Sequence, residues 1–172
     1  MKKYIWVNLL VIFVLFNVVV FFISCPRPSD AKRKGPVQPS AFVLTHPSAF
    51  AATKVKAEAG DATAQHNLGV VYRDGGGGLK DLKEAVKWFR KAADQGLAVS
   101  QYNLGAMYAN GQGVGQNNVT AYAWWNIAAT DGDPDAKNNK PVLAKRMTPA
   151  QITEAEALVK EMVKKNPKLI NK

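Results

Sequence analysis

The chain has 172 residues, which is enough for one ordinary domain together with a targeting segment. It carries 23 Lys and Arg residues against 13 Asp and Glu residues, a formal net charge of +10 at pH 7. Its single cysteine cannot form an internal disulfide. With two histidines in addition, the chain has no cluster of Cys and His residues that would predict a zinc site.

The positive charge is concentrated at the two ends of the chain. Residues 1–56 hold eight basic residues and one acidic residue, residues 57–136 hold six and nine, and residues 137–172 hold nine and three. The three segments therefore carry +7, −3 and +6. This distribution favours contact with a membrane surface, or a solubility role, over a continuous nucleic-acid track. Because the basic residues lack interleaved aromatic residues, we do not expect nucleic-acid binding.

The chain begins with a segment typical of membrane targeting. Lysines precede residues 4–23, which contain no charged side chain, and Cys25 directly follows Ser24. A small residue before a cysteine, at the end of an apolar run, resembles a bacterial lipoprotein signal. In such signals the peptide is cut before the cysteine, which is then lipidated. The resemblance predicts a signal peptide over residues 1–24 and a lipid on Cys25.

An uncleaved transmembrane anchor is the alternative, because residues 4–23 are long enough to cross a bilayer. Basic residues after the run then outnumber Lys2 and Lys3, and the positive-inside rule places the C-terminal domain in the cytoplasm. With either anchor, residues 25–49 lack apolar periodicity and are rich in proline, which predicts an extended tether.

An internal repeat of 36 residues occupies the middle of the chain. Residues 60–95 align without gaps on residues 96–131 with 13 identities. The identities form ordered motifs, namely Gln-x-Asn-Leu-Gly-x-x-Tyr, Gly-x-Gly, Ala-x-x-Trp and Ala-Ala. Because one unit of this size cannot bury its own apolar face, the units are expected to stack as a solenoid.

Each unit is predicted to be a pair of helices, which we name A and B. In the A helix, Ala64, Leu68 and Tyr72 recur every four positions, and in the B helix alanines are spaced between large aromatic residues. The aromatic residues expected in the core are Trp88, Phe89, Trp124 and Trp125. Gly69 and Gly105 lower the helix propensity of their A helices, which is explained if a B helix crosses closely there.

Helix-start signals extend the domain beyond the second unit. Asp133 followed by Pro134 predicts the start of a further A helix. Thr148 with Gln151 forms a capping box that opens a last helix. The predicted parts of the domain over residues 50–165 are repeats 60–95 and 96–131, a half repeat 132–146 and a capping helix 148–165, followed by a tail over residues 166–172.

The ordered motifs resemble those of the Sel-one-like repeat family, a relative of the tetratricopeptide repeats. The resemblance implies an all-α fold, a short α/α solenoid of about two and a half helix-pair repeats with a C-terminal capping helix. It also implies a protein that binds other proteins and often scaffolds complexes. Bacterial members are frequently found outside the cytoplasm, so we expect a cell-envelope location, lipid-anchored and facing the periplasm.

By analogy with the related repeats, a partner is expected on a concave face formed by the A helices. The predicted partner-binding residues are His66, Asn67, Val70, Arg73, Tyr102, Asn103 and Ala106, with Thr63 and Val99 on the same face. His66 shares its repeat position with Tyr102 and Asn138, which predicts a surface location.

The asparagines at one repeated position of the A helices allow two interpretations. Asn67, Asn103 and Asn139 could form a ladder that hydrogen-bonds the backbone of an extended peptide. Alternatively, they only satisfy the termini of neighbouring helices. The partner expected from the first interpretation is another protein or an extended peptide.

No set of residues predicts catalysis. The glycines at 75–78 lack the Gly-Lys-Ser/Thr of a phosphate loop and fall in the turn of the repeat. Spacing places no Ser, Cys or carboxylate beside His66. We therefore expect no cofactor, no metal and no small-molecule substrate. The expected function is a membrane-tethered adaptor, scaffold or inhibitor of a cell-envelope protein. The alternatives are a periplasmic immunity protein against a toxic enzyme, a cytoplasmic-facing anchored scaffold, or a hydrolase.

Overall fold

The computed structural model describes residues 47–170, and within this part of the chain the fold is all α-helical, as predicted. The seven helices are α1 (Pro47–Glu58), α2 (Ala62–Asp74), α3 (Leu82–Ala93), α4 (Ala98–Asn110), α5 (Asn118–Thr130), α6 (Pro134–Ala144) and α7 (Pro149–Lys165). Short 3-10 turns occupy Gly76–Gly78 and Pro167–Leu169. The predicted signal or anchor, Cys25 and residues 25–46 of the tether lie outside the described residues. Between residues 47 and 170, no helix has the length and apolar character needed to cross a bilayer.

Two helix pairs and a third A helix reproduce the 36-residue period. The A helix α2 packs against its B helix α3, and α4 packs against α5. The helices α2, α4 and α6 begin 36 residues apart, at Ala62, Ala98 and Pro134. Each B helix also packs against the following A helix, which joins the pairs in one row. The helices therefore stack in the order expected of an α/α solenoid.

Local signals fix the limits of the A helices. The Asp61 carboxylate accepts a hydrogen bond from the backbone N–H of Ala64 and caps the start of α2. Gly75 and Gly111 end α2 and α4 with φ values of 80° and 66°, in the left-handed region that favours glycine. The glycine-rich stretch is therefore a helix-ending turn, as predicted.

A glycine in each A helix lies directly against an aromatic ring of its B helix. A Cβ atom built on Gly69 would lie 2.7 Å from Cδ1 of Phe89, and one built on Gly105 would lie 2.5 Å from Cδ1 of Trp125. These distances leave no room for a side chain. The predicted close crossing at Gly69 and Gly105 is confirmed.

The B helices supply the largest core side chains. The four aromatic residues predicted in the core are all buried, and Phe89 and Trp124 are at most 1% exposed. Ala85 and Ala121 are fully buried at equivalent positions, which lets each B helix approach its A helix closely. The prediction of an aromatic core between the helix pairs is confirmed.

The capping helix α7 begins as the sequence predicts. The Thr148 hydroxyl accepts from the backbone N–H of Gln151, while the Gln151 side chain accepts from the backbone N–H of Thr148. The apolar stripe of α7, with Ala155 fully buried, packs on α5 and joins the repeat core. Charged residues cover its opposite, exposed face at Glu154, Glu156, Lys160, Glu161 and Lys164.

The third A helix, α6, does not acquire a B helix of its own, since α7 packs mainly on α5. Lys140 and Pro141 of α6 stand where α2 has Leu68 and Gly69, the pair on which a B helix packs. Lys140 instead turns back toward α5, where its Nζ donates to the Asn126 Oδ1 at 2.8 Å. The repeat array therefore ends at α6.

The first helix begins earlier than the sequence analysis expected. Residues 47–49 are the first residues of α1, whereas they were predicted to belong to the tether. The helix α1 packs against α2 as α3 packs against α4, so it takes the position of a B helix from a preceding unit. Ala57 accordingly lies one period before Ala93, and both are buried.

The predicted tail is a structural part of the domain. Leu169 is 2% exposed and joins the core cluster that contains Phe89. Its carbonyl oxygen accepts a hydrogen bond from Nε2 of Gln101 at 2.8 Å, and Nδ2 of Asn166 donates to the carbonyl of Asp94 at 2.7 Å. Residues 166–170 of the predicted tail therefore pack on the domain through contacts with residues far away in the sequence.

Replacing Gly105 with alanine should destabilise the fold although alanine is the better helix former. The added Cβ would meet Trp125 at 2.5 Å and the carbonyl of Ala121 at 3.2 Å. Overpacking costs roughly 1–3 kcal/mol and exceeds the gain in propensity of about 1 kcal/mol. We expect a net loss of about 1–2 kcal/mol in urea denaturation. The control is Gly115→Ala, where nothing lies within 4 Å of the new Cβ, and equal stabilities of the two variants would contradict the close contact.

Candidate partner-binding face

The residues predicted to bind a partner divide into two groups. His66 and Val70 are buried, with 3% and 5% of their surface exposed. The others keep part of their surface on the A helices α2 and α4. We name the surface formed by Thr63, Asn67, Arg73, Val99, Tyr102, Asn103 and Ala106 the A-helix face. The prediction that His66 is a surface residue is wrong, and Val70 packs in the core instead of facing a partner.

His66 is buried because the next A helix covers it. Its Nδ1 lies 2.9 Å from the Ser100 hydroxyl oxygen, and the two share a hydrogen bond whose donor depends on the ring tautomer. Burial, aided by the positive charge of Arg73, lowers the pKa of His66 from 6.5 to about 4. The ring is therefore neutral at pH 7. Since Ser100 is itself fully buried, this pair joins two helices and is closed to a substrate.

Arg73 links the A helices of the first and second repeats. Its Nη1 donates to Oδ1 of Asn103 at 2.6 Å, and its Nε and Nη2 donate to the Asp74 carboxylate. This hydrogen bond and the charge of Arg73 hold the pKa of Asp74 below its ordinary value. The guanidinium also lies 5.8 Å from the centre of the Phe89 ring. Contacts on several sides therefore fix Arg73 while leaving 32% of its side chain exposed.

Tyr102 is held in a similar way between the second repeat and α6. Its ring stacks on Trp125 with centroids 5.9 Å apart, and Trp125 Nε1 donates to the Tyr102 carbonyl at 2.9 Å. The Tyr102 hydroxyl accepts from Nδ2 of Asn139 at 2.9 Å. Burial raises the pKa of the Tyr102 hydroxyl, which is thus protonated at neutral pH.

Two of the three repeated asparagines bond to side chains of the preceding A helix. Asn103 accepts from Arg73 and donates to the Val99 carbonyl at 2.7 Å, so both ends of its amide are used. Asn139 donates to Tyr102. At Asn67, the Oδ1 atom is buried and has no hydrogen-bond partner within the described part of the chain. Asn103 and Asn139 therefore join neighbouring A helices, and contact of the asparagines with a peptide stays a prediction.

Two buried glutamines escaped the sequence analysis. Gln65 Nε2 donates to the Ala57 carbonyl at 3.0 Å, and Gln101 Nε2 donates to the carbonyl of Leu169 as well as to that of Ala93. Each tethers the start of an A helix to the end of the preceding B helix. The available signal was that glutamine occupies the same position in both repeats, which is unusual for a solvated polar residue.

Ionisable groups in the described residues do not converge on one point. No three His, Cys, Asp or Glu side chains between residues 47 and 170 lie close enough to share a metal ion. The A-helix face presents amide, phenol, guanidinium and small apolar groups, which suit contact with a polypeptide.

Helix pairs that repeat every 36 residues and stack in register define an α/α solenoid of the protein-interaction class. The family model for the Sel1 repeat matches residues 62–97 and 98–133, two residues later than the repeats set by the internal alignment. The chain thus carries two Sel1 repeats, as the Sel-one-like resemblance implied.

Solved structures share this fold. The chain is similar to a protective antigen of uropathogenic Escherichia coli strains that displays an SLR fold, with 34% identity and a TM-score of 0.66 over 70% of this chain and 27% of that chain. It is also similar to a Sel1 repeat protein from Oxalobacter formigenes, with 38% identity and a TM-score of 0.53 over 55% of this chain and 39% of that chain.

A curated relative agrees with the structural comparison. A sel1-like repeat-containing protein of Acanthamoeba polyphaga mimivirus is 45% identical over 42 residues, which are 24% of this chain and 7% of the viral protein. The chain therefore spans well under half the length of each of these three proteins.

Acidification should destabilise the fold through His66. The pKa of about 4 in the folded state lies below the 6.5 of the unfolded chain, so the unfolded chain binds the proton first. The contribution of His66 is complete above pH 6.5 and falls by roughly 3 kcal/mol as the pH approaches 4. We would measure the free energy of unfolding in urea between pH 7 and 4 for the wild type and for His66→Gln.

The effects of the other groups are common to both proteins and cancel in the comparison. The stability advantage of the wild type over His66→Gln should shrink on acidification. An advantage that stays constant from pH 7 to 4 would contradict a buried neutral imidazole.

Proposed function

We propose that this chain is a membrane-tethered adaptor that holds a protein partner on the A-helix face. The proposal rests on a difference between the row of A helices and the row of B helices. On the B-helix side, α7 packs over α5 and its stripe joins the core that includes α3. Within residues 47–170 no further helix covers the A helices in this way, and side chains from α2 and α4 remain partly exposed there.

The A-helix face suits recognition because its groups are held in place before a partner arrives. Arg73 is bonded to Asn103 and Asp74, and Tyr102 is stacked on Trp125. Little side-chain entropy would be lost on binding. Tyrosine and arginine are also the residue types most often found at the energetic centres of protein interfaces.

The location follows from the first 25 residues. An uncharged run over residues 4–23 and a cysteine after Ser24 support a lipid anchor on Cys25 and a position in the cell envelope, facing the periplasm. An adaptor and an inhibitor or immunity protein would use the same face. They differ in whether the captured partner keeps its own activity in the complex, which an assay of the partner decides.

A photo-crosslinking residue at Thr63 should trap the partner. Thr63 is exposed on the A-helix face and makes no side-chain hydrogen bond that its replacement would break among those described. Thr153 is exposed on α7 and serves as the matched position away from the face. In native membranes, irradiation should give a discrete adduct from position 63 and none from position 153. The reverse pattern would place the binding surface on the α7 side.

The trapped partner then allows an affinity measurement. Thr63→Arg should weaken binding about tenfold or more, which corresponds to about 1.4 kcal/mol, because it places a long charged side chain on the face. Thr153→Arg makes the same change on α7 and should leave the affinity unaltered. If both variants bind like the wild type, the A-helix face is not the site.

The lipid anchor is tested at Cys25. Cys25→Ser should abolish labelling by a radioactive fatty acid and leave the N-terminal peptide uncut, because both the lipid and the cut require the cysteine in this class of signal. Ser29→Ala, a few residues further along, should be labelled like the wild type. A native protein that begins at Met1 and carries no lipid would favour the uncleaved anchor instead.

A further inference from the structure

The contacts between successive A helices follow one rule. His66 and Arg73 of α2 bond to Ser100 and Asn103 of α4, at 2.9 and 2.6 Å. Tyr102 of α4, the equivalent of His66, bonds to α6. In each of these bonds, the earlier helix provides the residue at the position of His66 or of Arg73. The later helix provides Ser100 or the repeated asparagine, Asn103 or Asn139.

The first A helix lacks the neighbour that this rule requires. Asn67 of α2 is equivalent to Asn103 and Asn139, which bond to the A helix before them. Asn67 has no preceding A helix in the described residues, and its buried Oδ1 has no hydrogen-bond partner there. We name this side of α2, together with α1, the α2 edge. On this edge the Asn67 residue is partly exposed, although its Oδ1 atom is buried.

The last A helix lacks a following neighbour. Asn138, Val142 and Lys145 occupy the positions that His66, Val70 and Arg73 occupy in α2. Val142 is 58% exposed, whereas Val70 is 5% exposed beneath α4. We name the three residues the α6 edge. Lys145 keeps helical backbone angles, with φ −62° and ψ −19°, so the register with Arg73 holds there.

The two edges are complementary in their helices as well as in their polar groups. The α6 edge belongs to an A helix without its own B helix, and the α2 edge includes α1, a B helix without an A helix in the described residues. Placed side by side, α6 of one copy and α1 of another make up one helix pair. The contact would continue the interface that already joins the repeats inside the chain.

We propose that copies of this chain associate head to tail, with the α6 edge of one copy seated on the α2 edge of the next. Lys145 of one copy takes the position against Asn67 of the neighbouring copy that Arg73 takes against Asn103. Val142 becomes covered as Val70 is. Such a contact joins two different surfaces and can therefore extend beyond a dimer. Because Lys140 and Pro141 replace the Leu and Gly on which a B helix packs, the association is weaker than the internal interface.

Sedimentation equilibrium of the full chain in detergent tests this proposal. We expect the mass of the wild type to rise with protein concentration. Lys145→Glu and Val142→Glu should each raise the dissociation constant about tenfold or more, and circular dichroism should show unchanged helicity because both residues are exposed. Lys160→Glu makes the same charge change on the outer face of α7 and should leave the constant unaltered.

Mixing two variants distinguishes head-to-tail association from a two-fold arrangement. Asn67→Lys damages the α2 edge and keeps the α6 edge, whereas Lys145→Glu does the reverse. Each variant alone should associate poorly, and an equimolar mixture should recover a heterodimer through the two intact edges. A two-fold contact between α6 edges predicts that Asn67→Lys associates like the wild type, and this result would overturn the proposal.

A full chain that stays monomeric up to about 1 mM would also overturn it. So would self-association that is insensitive to both Lys145→Glu and Val142→Glu. The latter outcome would assign the contact to another part of the chain. Lys145→Glu and Val142→Glu lie outside the A-helix face, so crosslinking of a partner from Thr63 should persist in both variants. This result separates failure of the present proposal from failure of the adaptor proposal.

Discussion

The distance between each A helix and its B helix is set by a glycine pressed against an aromatic ring. Gly69 meets Phe89 and Gly105 meets Trp125, with no space for even one methyl group. The contact places the helix axes close enough to bury alanines at Ala85 and Ala121 completely. Because it recurs every 36 residues, it also fixes the spacing at which one A helix follows another. The polar contacts between A helices depend on that spacing.

Those polar contacts give the A-helix face its character. A buried polar group without a partner costs free energy, so the His66–Ser100 and Tyr102–Asn139 bonds hold each helix in one register against the next. The Arg73–Asn103 and Tyr102–Asn139 bonds fix the orientation of Arg73 and Tyr102, the side chains best suited to recognition. Alanine substitutions at these positions would therefore alter stability together with binding. Exposed Thr63 is the better probe of the face for this reason.

At the ends of the solenoid, the B-helix side and the A-helix side differ in how far their side chains are covered. On the B-helix side, α7 packs over α5, and Leu169 closes the core where Gln101 holds its carbonyl. On the A-helix side, α6 exposes Val142 while α2 leaves the Oδ1 of Asn67 without a partner in the described residues. Within residues 47–170, this difference between the two rows is the reason for placing both proposed interaction surfaces on the row of A helices.

The sequence by itself determined the repeat and the helices α2 to α7, because their periodicity and capping residues can be recognised in the order of residues. The capping box at Thr148 lies within four residues, and the repeated glycine at position 105 indicated a close helix crossing. The predicted signal and lipid on Cys25 likewise come from a local pattern, and their test lies with the intact protein. The stacking of the pairs followed from the repeat, since one helix pair cannot bury its own apolar face.

Only the tertiary structure decided which repeated positions are open to a partner. His66, Tyr102 and Asn138 share one position, yet the first is buried, the second half-buried and the third exposed. The burial of Leu169 by contacts with residues about 70 positions earlier was equally hidden from periodicity. The physical reason is the same in both cases. Exposure of a side chain depends on which element lies over it, and in a stacked array that element belongs to the next unit or to the chain's far end.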